Sequence, residues 1–203
     1  MGERSGESVD RDKRTTLRRF AALGAASPLA AFVGSGSESD ARSAIAGYVS
    51  STPGAHFSKI RDDLSLGTGE TQHHLRRLVD AGAVESHMDG EYRRYFPAGK
   101  FSAFERRVLG YLRRETPRGM VLALLTEPAT TGSSIAERLE VSTATVSNTA
   151  ADLEEAGLLT REEGYALERP ETVISLLVRY ADSFDDRAVA FADRADELIR
   201  YDP

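Results

Sequence analysis

The side chains best suited to chemistry are concentrated between Lys59 and Arg94. Within that stretch Arg76 and Arg77 follow Gln72 by about one helical turn. Guanidinium groups bind phosphate or the O6 and N7 atoms of guanine, and a glutamine amide pairs with N6 and N7 of adenine. The combination indicates binding to a polyanion that also offers hydrogen-bonding edges.

Motifs for catalysis or cofactor binding are absent from the sequence. It has no P-loop, no dinucleotide-binding glycine pattern, no HExxH and no GxSxG motif. It also has no cysteine, which excludes disulfides, thiolate metal sites and a cysteine nucleophile. The adjacent His73 and His74 would point about 100° apart on a helix, so both cannot face one metal. A metal site across chains that includes His56 or His87 stays an alternative, but we expect no enzyme activity, no cofactor and no metal.

An internal repeat with an offset of 75 residues and no gap runs through the chain. Residues 56–84 align with residues 131–159, so that Ile60, for example, falls on Ile135. The matched positions are mostly apolar or turn residues, whereas the surface residues differ. This pattern is typical of two diverged copies of one fold and predicts two modules.

Each copy is predicted to form two short helices joined by a tight turn. In the second copy Ser142 is a natural N-cap for the second helix, and Gly157 is a left-handed stop after it. In the first copy Gly67 takes the cap position and Gly82 the stop. The second helix of each copy is the one with an exposed polar face.

A strand hairpin is predicted after each copy and a helix before it. Asp89-Gly90 is a strong turn signal for the first hairpin, and the second turns near Glu163-Gly164. The leading helices are predicted at Asp40–Ser51, after a linker at Ser35–Ser39, and at Pro117–Thr126. Thr116 is the predicted cap of the latter, with Pro117 at its first position.

This order of elements resembles a winged helix-turn-helix domain, and the two copies resemble the tandem ArsR, MarR and TrmB-like regulators that are abundant in archaea. The resemblance implies a mainly α-helical fold with small β-hairpin wings and additional C-terminal helices. The predicted divisions are a disordered N terminus with a short apolar helix (1–38), a first winged helix-turn-helix (39–100), a linker helix (101–116), a second winged helix-turn-helix (117–170) and a C-terminal helical tail (171–203).

The resemblance implies a sequence-specific transcriptional regulator that inserts the second helix of its first module into the major groove of double-stranded DNA. The candidate DNA-binding residues are Lys59, Thr68, Gly69, Glu70, Gln72, His73, Arg76, Arg77, Arg93 and Arg94. Strand alternation turns one of the two wing arginines towards the body, and Arg76 and Arg77 have an alternative role as a solvated face paired with Asp80. The weaker second-module candidates are Ser142, Thr143, Thr145, Ser147 and Asn148.

The charge distribution separates the two modules. The whole chain carries a net charge of −6, yet residues 54–100 contain 7 basic and 7 acidic residues, and residues 128–170 contain 3 and 8. Since phosphate contacts supply most non-specific affinity, we expect the first module to read DNA and the second module and tail to dimerise or receive a signal. The alternative is a tandem winged-helix interaction subunit of a chromosome-organising or transcription complex, without direct DNA readout.

The two ends of the chain leave alternatives open. Arg18-Arg19 before a short apolar stretch resembles an imperfect twin-arginine export signal. We expect this stretch to pack on the body of a cytoplasmic protein, without a membrane partner, and a weak attachment to a membrane is the alternative. In the tail an apolar stripe from Val173 to Leu198 predicts helices that either pack on the second module or form a homodimer interface. The segment Ser183-Phe-Asp-Asp186 is a candidate N-cap, with Ser183 as the capping residue, that would split the tail into two helices. Only 3 of the 26 basic residues are lysine, a composition that we associate with salt-loving organisms.

Overall fold

The computed structural model describes residues 19–20 and 37–195, and the chain divides into two compact units. The first unit ends at Phe101 and the second begins at Ser102. The described residues are mainly helical with two small antiparallel sheets, as the sequence predicts. None of their helices has both the length and the apolar composition needed to cross a bilayer.

Between residues 37 and 101 the first unit has three helices and one three-stranded sheet. In chain order they are α1 (Ser37–Ser51), β1 (Ala55–His56), α2 (Phe57–Asp63), α3 (Thr68–Asp80), β2 (Val84–Asp89) and β3 (Tyr92–Pro97). The sheet order is β1-β3-β2, with Ser86 opposite Tyr95 and Met88 opposite Arg93. Gly90 turns the hairpin with a φ of 58°, the left-handed conformation that an Asp-Gly turn requires.

The three helices of the first unit bury their apolar faces in one core. Ile45, Ile60 and Leu64 are fully buried, and each such side chain stabilises the fold by about 1.5–3 kcal/mol. Phe20 packs against this core, with its ring centroid 5.1 Å from that of Tyr48. The packing predicted for the N-terminal stretch is therefore present at Phe20, whereas the rest of that stretch and the predicted disorder lie outside the described residues.

The described part of the second unit contains six α-helices, a 3-10 turn and a two-stranded hairpin. In chain order they are α4 (Ala103–Leu112), α5 (Glu115–Thr126), α6 (Gly132–Leu139), α7 (Thr143–Glu155), β4 (Leu159–Thr160), β5 (Ala166–Leu167), α8 (Pro170–Tyr180), the 3-10 turn (Ala181–Ser183) and α9 (Asp186–Ala192). Helix α4 begins with the predicted capping box, in which Ser102 and Glu105 bond reciprocally. This helix packs on α5 and α8 and so belongs to the second unit.

Gly119 brings α5 and α6 close together. A Cβ atom at this position would lie 2.5 Å from Cδ2 of Leu139, so only a glycine fits without a shift of that side chain. Each helix of this copy fully buries a large side chain, Met120 on α5, Ile135 on α6 and Leu153 on α7, and α5 packs on both α6 and α7. The second copy therefore has the same kind of three-helix core as the first.

Several predicted helix boundaries need correction. Helix α1 begins at Ser37, so the predicted linker is wrong from that residue onward. Helix α5 begins at Glu115 with Arg114 as N-cap, so Thr116 is not the cap and Pro117 is not the first residue. Proline is tolerated there because the first N–H groups of a helix have no intrahelical acceptor.

The apolar stripe of the tail is buried within the second unit. Val173, Leu177 and Phe191 are at most 4% exposed, with α8 packed on α4 and α9 packed on α5. The described stripe therefore packs on its own unit and is not open to a partner, while Leu198 lies outside the described residues. The break in the tail is present, but its N-cap is Asp185, which accepts the N–H of Ala188 at 2.9 Å, and not Ser183.

Asp185 also neutralises a buried guanidinium. Arg118 is 9% exposed and donates to Asp185 Oδ2 from Nε at 2.9 Å and from Nη2 at 2.6 Å, while its Nη1 donates to the carbonyl of Leu112. Burial alone would raise the pKa of Asp185, but the hydrogen bonds from Arg118 and from the N–H of Ala188 outweigh it and hold the pKa below its usual value. The pair thus fixes the start of α9 on α5.

We predict that Asp185→Ala lowers the free energy of unfolding by roughly 2 kcal/mol, because it removes a helix cap and leaves Arg118 buried without its carboxylate. Since the folded-state pKa is depressed, this contribution is present above the unfolded-state pKa of about 3.9 and is lost as pH falls through the folded-state value. Urea denaturation at a series of pH values measures both effects. Asp186→Ala, on the exposed side of α9, is the matched control, and an equal loss in that control would contradict the prediction.

Candidate nucleic-acid interface

The turn between α2 and α3 fixes how α3 is presented. Ser65 is left-handed with a φ of 53°, and Leu66 buries its side chain. Gly67 has the extended conformation of an N-cap, and its N–H lies 3.4 Å from the carboxylate of Glu70. Thr71 Oγ1 donates to the carbonyl of Gly67 at 2.9 Å, which secures the first turn on its buried side. The opposite side of α3 faces solvent.

The structure places the predicted reading residues of α3 together on that solvent face. All of them are exposed: Thr68, Gly69, Glu70, Gln72, His73, Arg76 and Arg77. Arg76 and Arg77 form no ion pair or hydrogen bond with the other described residues, so the alternative pairing with Asp80 is not made. Lys59 on α2 is exposed as well, but its ammonium group is 2.8 Å from Asp63. Two uncompensated guanidinium groups therefore dominate the charge of this face.

The two wing arginines have opposite environments. Arg93 is exposed and makes no ion pair within the described part of the chain. Arg94 is 3% exposed, forms an ion pair with Asp89 and donates from Nη1 to the carbonyl of Gly54 at 3.0 Å. Arg94 is therefore a structural residue that joins β3 to the loop before β1, and its assignment to the DNA-binding set is corrected on that ground.

The histidines of the first unit lie in different environments. His74 is 5% exposed on the buried side of α3, three residues after Thr71 and four before Leu78, which are also buried. His56 is the N-cap of α2 and accepts the N–H of Lys59 at its Nδ1 atom. Burial, followed by the charges of Arg94 and Lys59, lowers the pKa of His56 and so keeps this acceptor neutral. Within residues 19–20 and 37–195 no group of three His, Asp or Glu side chains is placed to hold a metal ion.

The second copy has the same local architecture with a different surface. Ser142 caps α7 by accepting the N–H of Thr145 at 3.0 Å, as predicted. The candidates Ser142, Thr143, Thr145, Ser147 and Asn148 are all exposed, and α7 contains no lysine or arginine. In the wing that follows, Arg161 is paired with Glu154. This face offers hydroxyl and amide groups but no free cation.

Two parts of the chain match known protein families. Residues 39–109 match a family described as an N-terminal HTH domain, and residues 106–166 match the MarR family. The chain carries two helix-turn-helix domains in tandem. Both families are DNA-binding regulatory domains and not enzymes, so this tandem helix-turn-helix protein is a DNA-binding regulator at that level of description, and the predicted fold class and family resemblance are confirmed. Comparisons of the tandem helix-turn-helix protein with curated proteins and with solved structures gave no significant match.

We predict that Arg94→Gln destabilises the first unit by about 2–3 kcal/mol, because it removes the guanidinium that pairs with Asp89 and donates to the carbonyl of Gly54. The neighbouring Arg93→Gln has the same charge change on an exposed side chain, so it should change the free energy of unfolding by less than about 0.5 kcal/mol. Thermal and urea denaturation followed by circular dichroism compare the two. If both variants are equally stable, Arg94 does not secure the hairpin.

Proposed function

We propose that this chain is a sequence-specific transcriptional regulator whose first unit reads DNA through α3. The observation that carries the proposal is the pair Arg76 and Arg77, exposed and unpaired among the described residues, on the same solvent face as Gln72. The second helix of a helix-turn-helix domain is the element that enters the major groove. In this chain that helix has the donors that base edges and phosphates require.

Each side chain of α3 fits a specific role in such a complex. Gln72 is suited to N6 and N7 of adenine, and Arg76 or Arg77 to guanine or to phosphate, with a bidentate base contact worth about 1–3 kcal/mol of discrimination. Thr68 and the backbone amides of the first turn are suited to a phosphate. Glu70 is engaged in the cap at Gly67 and repels phosphate, but it can accept from N4 of cytosine.

We assign the second unit a role other than primary DNA reading. The exposed face of α7 supports this assignment, because it includes the acidic Asp152 and has no lysine or arginine to contact phosphate. The MarR match supports homodimerisation or signal input by this unit. Since the described tail stripe is already buried, a dimer would form through another surface. Light scattering of the purified chain tests dimerisation, and a mass of one chain at all concentrations would exclude it.

The same α7 face favours one other function, a protein-interaction subunit of a larger complex. The experiment that separates it from DNA reading is affinity purification with and without nuclease. Stoichiometric partners that survive nuclease would favour the interaction subunit. Loss of the co-purified DNA alone would favour the regulator.

We predict that Arg76→Ala/Arg77→Ala lowers affinity for promoter fragments at least tenfold, because two charge-assisted contacts are lost. Gel-shift titration of genomic promoter fragments measures the loss. Thr145→Ala/Asn148→Ala on α7 is the matched double substitution in the other unit and should leave the affinity within about twofold. Equal affinity of the wild type and the arginine double variant would overturn the assignment of α3 as the reading helix.

A further inference from the structure

The first unit contains a polar cleft between α3 and the β2–β3 hairpin. The cleft has a volume of about 280 Å³. Gln72, Arg76 and Asp80 line it from α3, at successive helical turns, and Ser86, Arg93 and Tyr95 line it from the hairpin. This volume is just below the range of small-molecule pockets, and the lining is mainly polar, which suits a charged group of a larger ligand.

Strand alternation explains why the hairpin contributes these residues. Ser86 pairs with Tyr95 and Met88 pairs with Arg93, so these four side chains share one face of the hairpin. Arg94 lies on the other face, where it is buried with Asp89. The cation on the cleft side is therefore Arg93, which faces Arg76 of α3 across the cleft.

The charge and donors of the cleft match a phosphodiester. Arg76 and Arg93 make no ion pair with described residues, and with the carboxylate of Asp80 the cleft has a formal charge of +1. A phosphodiester has one negative charge and only acceptor oxygens, whereas free phosphate near pH 7 is a mixture of monoanion and dianion and still carries hydroxyl donors. Burial raises the pKa of Tyr95, so its hydroxyl stays protonated and remains a donor, as do Ser86 and Gln72.

The tip of the hairpin is unsuited to the minor groove. Residues 88–92 contain no lysine or arginine, and their exposed carboxylate is that of Glu91, since Asp89 is paired with Arg94. The exposed side chains beside them are Met88 and Tyr92, which are 64% and 51% exposed. The negative potential of the minor groove attracts cations and repels a carboxylate.

We propose that the cleft between α3 and the hairpin clamps one backbone phosphodiester of the DNA between Arg76 and Arg93, while the tip of the hairpin stays outside the minor groove. In B-DNA one sugar-phosphate backbone separates the major groove from the adjacent minor groove. A helix in the major groove and a hairpin beside it must therefore enclose that backbone. The proposal rests on the proposed function, because α3 has to occupy the major groove for the clamp to form.

The test uses the full-length protein and a duplex that the wild type selects from a random-sequence library. A series of these duplexes replaces one phosphate at a time with a neutral methylphosphonate. We expect one position, beside the α3 contact, where neutralisation weakens wild-type binding roughly tenfold. For the double variant Arg76→Gln/Arg93→Gln, a methylphosphonate at that position should cause no further loss of affinity. Arg187→Gln, an exposed and unpaired arginine of the second unit, should bind every duplex as the wild type does.

Salt dependence distinguishes one shared phosphate from two. The slope of log K against log salt changes by about 0.9 for each neutralised phosphate. If Arg76 and Arg93 share one phosphate, the slope of the double variant should be less steep than that of the wild type by about 0.9. If the two arginines contact separate phosphates, the difference should be about 1.8. A loss near 1.8, or a methylphosphonate effect that persists unchanged in the double variant, would overturn the clamp.

Two further arms test the source of the phosphate and the position of the tip. Inorganic phosphate at constant ionic strength should not displace the duplex. Displacement would identify the cleft as a site for a free anion and overturn the proposal.

The position of the hairpin tip is tested separately. Glu91→Gln should leave the affinity for the duplex within about twofold, and a drug that binds the minor groove should not compete with the protein. Competition by the drug would place the tip in the minor groove. If the wild type selects no duplex, the proposed function itself fails, whereas selection without phosphate coupling rejects the clamp alone.

Discussion

Strand β3 has two adjacent arginines and can bury only one of them, because successive side chains of a strand point to opposite faces. Arg94 is the buried one, held by Asp89 and by the carbonyl of Gly54. That burial forces Arg93 onto the face that looks towards α3. The position of the hairpin, the charge of the cleft and the separation of structural from surface arginines all depend on this choice.

The two helix-turn-helix copies show how one core supports different surfaces. In each copy an isoleucine and a leucine from the two helices are fully buried, as with Ile60 and Leu78 in the first and Ile135 and Leu153 in the second. The caps are also equivalent in position, with Gly67 in one copy and Ser142 in the other. What differs is the solvent face, which packing does not constrain. The repeat therefore predicts the fold of both copies well and their functions poorly.

The sequence predicted those features that depend on local periodicity and turn chemistry. It predicted the two helix pairs, the Asp-Gly hairpin and the exposed face of α3, because these follow from spacing of apolar residues and from glycine at left-handed positions. It did not decide whether Arg93 or Arg94 is the buried one. Strand alternation shows only that the two side chains point to opposite faces, and the acceptor for Arg94 is the carbonyl of Gly54, 40 residues away in the sequence. The cap of α9 was missed for a similar reason. Asp185 is chosen over Ser183 by the guanidinium of Arg118, which only the folded chain brings near.

The equivalence of α3 and α7 has an evolutionary consequence. The offset of 75 places Ala151 and Asp152 where the first copy has Arg76 and Arg77. Asp152 is exposed and Ala151 is half-buried, so changes there disturb the core little. A duplicated domain of this kind can gain or lose a basic surface by a few substitutions while its fold stays under constant selection. Two copies of one fold in a single chain can therefore differ in surface charge, and so in what they bind, while their cores stay alike.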